Sequence, residues 1–153
     1  MYWPLFFDPD LWTKIGLSIL CASIVGVERQ IHRKPIDIRT SVLICLGTMF
    51  FIYLGEQLDG DKDSTRVLGQ VATGIGFLGA GVIITRQGLV TGVTSAAVVW
   101  VLAAIGAAIG FGFYEMGLAV SIVTVFTLSG LHWVDEIAAR VFKIKPPSDE
   151  LRK

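Results

Sequence analysis

Residues 88–134 read GLVTGVTSAAVVWVLAAIGAAIGFGFYEMGLAVSIVTVFTLSGLHWV, a run with a single charge, Glu115. An apolar helix of about 20 residues crosses the hydrocarbon of a bilayer. The run is too long for one crossing and long enough for two. Its break falls at Gly110, Gly112, Phe113 and Tyr114, where glycines interrupt the pattern. Helices are expected over 93–110 and 115–134. Toward the N-terminus, the apolar stretches Val67–Thr85, Ser41–Gly55 and Leu11–Val27 add helices over 67–85, 41–55 and 11–27. The expectation is an all-α fold. Residues 1–134 form a polytopic transmembrane helical bundle of about five spanning helices, and residues 135–153 form a charged cytoplasmic tail. Four spans with one re-entrant or broken glycine-rich segment is the alternative, since irregular backbone survives at membrane depth where protein covers it.

Composition agrees. Of 153 residues, 53% are hydrophobic and 17% charged, whereas a soluble domain carries about 25% charge. Thirteen basic residues balance thirteen acidic ones, so no basic face invites nucleic acid. The expected surroundings are a lipid bilayer. Lys and Arg accumulate on the cytoplasmic side of membrane proteins. With the N-terminus outside, Arg29, Arg33, Lys34, Arg39, Arg86, Arg140, Lys143, Lys145, Arg152 and Lys153 fall inside, and only Lys14, Lys62 and Arg66 outside. An odd helix count then makes the C-terminus cytoplasmic. Met1–Trp12 has no basic residue ahead of its apolar stretch, so the first helix reads as retained rather than as a signal peptide. Cys21 and Cys45 stand in apolar runs without a CxxC or a nearby His and read as packed free thiols.

The third helix carries the densest pattern of small residues. Gly69, Ala72, Thr73, Gly76, Gly79 and Ala80 share one face, and Gln70, Gly74, Phe77 and Gly81 another. Helices in lipid associate by close packing over small residues. Gly69, Ala72, Gly74, Gly76, Gly79, Ala80 and Gly81 are therefore assigned to helix packing. The sharper alternative is a polar path, or freedom for this helix to move. Ser18, Ala22 and Gly26 form a smaller stripe on the first helix, and Ala96, Ala103, Ala104, Ala107 and Gly110 one on the fourth. A homodimer is expected, with small faces buried within or between subunits. Gly74–Gly79 spells GxGxxG, but inside an apolar span and not after a strand, so it is not a nucleotide fingerprint.

Glu28 and Arg29 end the first helix. Helical neighbours point about 100° apart, so each is expected to find a partner elsewhere, Arg39 for Glu28. Either they form interfacial salt bridges that fix the next loop, or they form a proton or ion site. His32 reads as solvated. Asp59-x-Asp61-x-Asp63 begins like a calcium loop, but Ser64 stands where Gly turns the loop and Gln70 where a bidentate Glu is needed. No firm metal ligand or cofactor follows; Asp59, Asp61 and Asp63 are weak Mg²⁺ candidates. Asp63 also suits the N-cap of the third helix, with Arg66 as its partner. No nucleophile–base pair, paired carboxylates or phosphate loop is present, so no catalytic residue is assigned and an enzyme is not expected.

Gly26-Val27-Glu28-Arg29, Lys34-Pro35 and Arg39-Thr40, followed by Gly69–Ile83, resemble the MgtC/SapB family. Asp63 and Arg66 stand where that family has an acid and a base. Gly92, Thr94, Ala96, Ala97 and Trp100 resemble its next block, and Ala104, Gly106, Gly110, Gly112 and Tyr114 the one after. The candidate polar and ionic residues are accordingly Glu28, Arg29, Arg39, Thr40, Asp63, Arg66 and Gln70. The resemblance implies a bacterial inner-membrane protein tied to Mg²⁺ homeostasis and adaptation to low Mg²⁺. It further implies a non-catalytic regulator of partner membrane proteins such as the F-type ATP synthase, with direct Mg²⁺ transport or sensing as the alternative. Ile36 and Asp37 replace small residues common in the family, and Ser41 replaces a frequent His. Many members add a soluble C-terminal domain; this chain reads as a membrane-domain form, so functions tied to that domain are not carried over.

Overall fold

The first helix begins where the sequence supplies a cap. Asp8 Oδ1 accepts from the Asp10 amide at 3.0 Å, and Pro9 takes the first helical position, where its missing N–H is not needed. Helix α1 spans Pro9–Ile31 and stops at Arg33, whose φ of 52° is left-handed. Asp37 restarts the chain: its Oδ1 accepts from both the amide and the hydroxyl of Thr40, each at 2.8 Å, and α2 runs Ile38–Asp59. Then follow α3 (Asp61–Val82), β1 (Ile84–Arg86), β2 (Leu89–Thr91), α4 (Val93–Gly110) and α5 (Tyr114–Phe142). The computed structural model describes the backbone of residues 7–59, 61–86 and 89–142, and the side chains of 7–57, 65–85 and 89–130.

Helix α4 matches its expected bounds; the others run longer at one or both ends. Apolar length marks what lies in hydrocarbon, not where helical hydrogen bonding stops. Polar residues such as Glu56 and Gln57 stay helical, so the expected outer loop over 56–66 is absorbed into α2 and α3. Asp63 therefore stands within α3 and is not its N-cap. Helix α5 likewise continues to Phe142, through part of the expected tail; residues 143–153 lie outside the described residues. The third helix ends three residues early. The β-branched run Ile83-Ile84-Thr85 turns into an antiparallel ribbon that pairs Ile84 with Thr91 and Arg86 with Leu89, so the fold is helical with one small β element.

The helices alternate in direction, and α4 sits at the centre, packed against α1, α2, α3 and α5. Its sequence is apolar all round: most of it is buried in the bundle, while the strip Val93, Ala97, Trp100 and Ala104 faces outward. Helix α1 contributes a narrower seam, Leu11, Lys14, Ser18, Cys21, Val25 and Glu28, alternately three and four residues apart. Helices α2 and α4 approach closely along their length. Gly106 and Gly110, one turn apart, let the α4 backbone settle on Cys45, Thr48, Met49 and Ile52; a Cβ at Gly106 would lie 2.3 Å from the Cys45 carbonyl oxygen. Both cysteines are free and buried in this core. Around it, Leu20, Leu43, Phe51, Phe77, Val123 and Phe126 face outward. An apolar surface this wide suits lipid rather than water.

Helix α3 is placed differently from its expected role. Among its described residues the buried positions are Ile75 and Gly79. A Cβ at Gly79 would meet Ala96 of α4 at 3.6 Å, whereas Gly69, Gly74, Gly76 and Gly81 have nothing within 4 Å, and Ala80 is exposed. Within the chain, Gly79 thus packs against α4, whereas these four glycines and Ala80 meet no neighbouring element closely. Ala72 is only half-buried. The close-packing glycines among the described residues are Gly26, Gly92, Gly106, Gly110 and Gly117.

Candidate functional site

Three polar regions stand out against the apolar bundle. The first is at the end where α1 finishes and α2 and α4 begin. Arg29 is 1% exposed and Glu28 5%. They bind each other directly: Arg29 Nε donates to Glu28 Oε2, and Nη2 donates to Oε1 at 2.8 Å. The expected Glu28–Arg39 pair is not formed; Arg39 is exposed and lies near Asp37. Adjacent Cβ atoms diverge, but both stems are long enough to fold back into one groove, where mutual neutralisation offsets desolvation. His32 joins them. Its Nδ1 lies 2.8 Å from the Glu28 carbonyl oxygen and 3.2 Å from Oε1. Both are acceptors, so that nitrogen carries the proton. His32 is thus a partner of Glu28 while its ring stays exposed, as expected of a solvated residue. Thr40 serves the cap: its amide and hydroxyl hold the Asp37 carboxyl below the usual carboxylate range, with Arg39 a smaller contributor.

The second region, at the opposite end, went unnoticed in the sequence. Lys14 is 5% exposed. Its Nζ lies 2.9 Å from Asp10, 3.8 Å from Glu56 and 5.1 Å from the Tyr53 ring centre. Tyr53 donates to Asp8 at 3.0 Å, and Tyr114 donates to Asp10. The buried ammonium thus ties α1 to α2, and Asp10, which it shares with Tyr114, adds α5. The legible signal was Lys14 itself, a lone charge in a spanning helix, since such charges are paired or functional.

The third is a groove of ≈ 470 Å³ between α2 and α3. Arg66, Gln70 and Gly74 line its α3 wall, and Gly47, Thr48 and Phe51 its α2 wall. Arg66 and Gln70 are thereby brought together, far along the chain from Glu28. The side chains of Asp59, Asp61 and Asp63 lie outside the described residues, and among the described residues no three His, Cys, Asp or Glu gather as a metal site.

Pro9–Ile31, Ile38–Gln57 and Val93–Gly110 are long and apolar enough to cross a membrane, and Tyr114–Gly130 is a shorter apolar helix. With the outward apolar belt and the charges confined to the helix ends, these define a helical membrane protein. Its relatives are specific. The chain belongs to the MgtC family, which it matches over residues 15–137. It is 38% identical over 127 residues to the putative magnesium transporter YhiD of Escherichia coli, covering 78% of this chain and 59% of that one. Protein SapB of Bacillus subtilis is 30% identical over 138 residues, 84% of this chain and 60% of its own. Protein MgtC of Brucella abortus is 34% identical over 112 residues, 73% and 46%. The chain thus spans about half to three-fifths of the length of these relatives. No solved structure matches it.

Proposed function

We propose that this protein is a multi-pass protein of the bacterial inner membrane, with five spans and its N-terminus outside. It serves Mg²⁺ homeostasis and adaptation to low Mg²⁺ as a non-catalytic regulator of another membrane protein. The F-type ATP synthase is the partner the family resemblance suggests. The observation that carries the reading is the open face of α3: Gly69, Gly74, Gly76 and Gly81 have no neighbour within 4 Å. In lipid, bare glycine backbone is where a second helix packs most closely. The adjoining α2–α3 groove, apolar with Arg66 and Gln70 on its wall, fits an apolar helix bearing a polar group. The face also suits a second copy of this chain, in keeping with the expected homodimer.

Glu28 and Arg29 neutralise each other, which suits a structural pair better than a translocating one. Direct Mg²⁺ transport stays the second reading, favoured by the name of the YhiD relative. Two measurements separate them. Affinity purification from native membranes at low Mg²⁺ is expected to recover a membrane partner with the wild type and to lose it with Gly74→Leu or Gly81→Leu. A Cβ at either position meets nothing within 4 Å, and at Gly74 the longer side chain enters the open groove, so both variants should fold. Proteoliposomes are expected to show no Mg²⁺ flux; flux that requires folded protein would favour the transporter.

A further inference from the structure

A cavity of ≈ 580 Å³ opens at the basic end of the bundle, between the Lys34-Pro35 loop, the β ribbon, the first turn of α4 and Thr127-Leu128 of α5. Among the described residues it is lined by two cations, Arg29 and Lys34, and by no carboxylate. Glu28 engages Arg29 through Nε and Nη2; Nη1 has no hydrogen-bond acceptor among the described residues. A guanidinium carries five donors, so a second edge is left for another anion.

Helix α4 adds more donors. Its N-cap is Gly92, which makes no side-chain cap. The amides of Val93, Thr94 and Ser95 have no acceptor among the described residues, and all three residues line the cavity. Ser95 is the independent mark. The residue is 3% exposed, yet its hydroxyl makes no hydrogen bond among the described residues. The buried Ser41 and Ser121 instead bond the carbonyl four residues back, at 2.8 Å each. That return is closed to Ser95, because the residue four before it, Thr91, belongs to the ribbon and not to a helix. The rest of the wall includes apolar Val82, Ile84 and Leu128, with Thr91 and Thr127 whose hydroxyls are already bonded to the carbonyls of Ile84 and Val123.

Donors without acceptors, two cations and a positive helix end select an oxyanion. The apolar remainder suits a body attached to it. We propose that this cavity binds a phosphate group, supplied either by an anionic phospholipid headgroup or by free phosphate. Glu28 fixes the inner edge of Arg29, and the phosphate takes the outer one. The site is independent of the α3 face and stands whether or not a regulatory partner is found.

The full chain, purified in neutral detergent and stripped of lipid, is titrated with short-chain phosphatidylglycerol, phosphatidylcholine of the same chains, inorganic phosphate, and chloride at matched ionic strength. The readout is the thermal unfolding midpoint. Phosphatidylglycerol, inorganic phosphate or both should raise it saturably, with affinity about tenfold or more above phosphatidylcholine and chloride. A response to phosphatidylglycerol alone assigns the lipid; a response to inorganic phosphate as well assigns the free ion. Lys34→Gln, in an exposed loop, and Ser95→Ala should each weaken that affinity severalfold. Equal responses to all four additives, or wild-type affinity in either variant, overturn the proposal.

Discussion

Substituting Gly106 by alanine tests the geometry of the core most directly. Two effects oppose each other. Alanine is the better helix former, by about 1 kcal/mol over glycine. Against this, the added Cβ would lie 2.3 Å from the Cys45 carbonyl oxygen, 3.0 Å from Thr48 Cβ and 3.1 Å from the Cys45 carbonyl carbon. The first contact is about 1 Å inside ordinary van der Waals range and is made with backbone, so no side-chain rotation relieves it. Helices α2 and α4 must part along their seam. Overpacking of a tight core costs about 1–3 kcal/mol, and a backbone contact belongs at the upper end. The expected net loss is therefore about 2 kcal/mol. Gly74→Ala is the control: with nothing within 4 Å, propensity acts alone and stability should rise by up to about 1 kcal/mol. Unfolding of both variants in detergent micelles, followed by helical circular dichroism against added sodium dodecyl sulfate, measures the two differences. A Gly106→Ala protein as stable as the wild type would refute the α2–α4 packing described here.

Three further outcomes follow from the same structure. Arg29→Met leaves the buried Glu28 carboxylate with His32 alone beside it and should cost about 3 kcal/mol, whereas Glu28→Leu with Arg29→Met should cost less than that single change; denaturant titration of the three proteins checks the order. Lys14→Met should destabilise the opposite end by loosening α1 from α2, detected as faster amide exchange in residues near Tyr53 and Glu56. The Asp37 cap has a pH signature. Its carboxyl titrates below the ordinary value because Thr40 donates to the charged form. The stabilisation is therefore fully present above the ordinary carboxylate pKa and fades as pH falls through the lowered one. Asp37→Asn, which retains a capping oxygen, should flatten that acid limb in a midpoint-versus-pH series.

Much of this was legible because burial in lipid leaves a plain mark on composition. A run with one charge in 88–134 has no other stable home, and the four helix breaks fell close to glycines or polar clusters. The family, too, was visible in residues 26–40 and 69–83. The sites were harder to read. The 100° rule for neighbouring residues directed Glu28 to Arg39, but that rule describes Cβ vectors, not the reach of long side chains. The glycines of α3 drew the packing assignment by their number. Gly106 and Gly110, a single pair separated by one turn, bring the α2 and α4 backbones together, and the four-residue spacing was the signal that could have found them.

Sequence alone determined that the chain is a bundle of apolar helices for a membrane, because hydropathy is a property of each segment and needs no partner to express it. Which face of each helix is covered was decided only in the tertiary structure. A glycine stripe is equally able to meet a neighbour in the same chain, another protein or lipid, and only the folded arrangement chose the first for α4 and left α3 open. The same holds for Lys14 and for the Ser95 cavity, whose chemistry comes from groups separated along the chain and joined when the helices close.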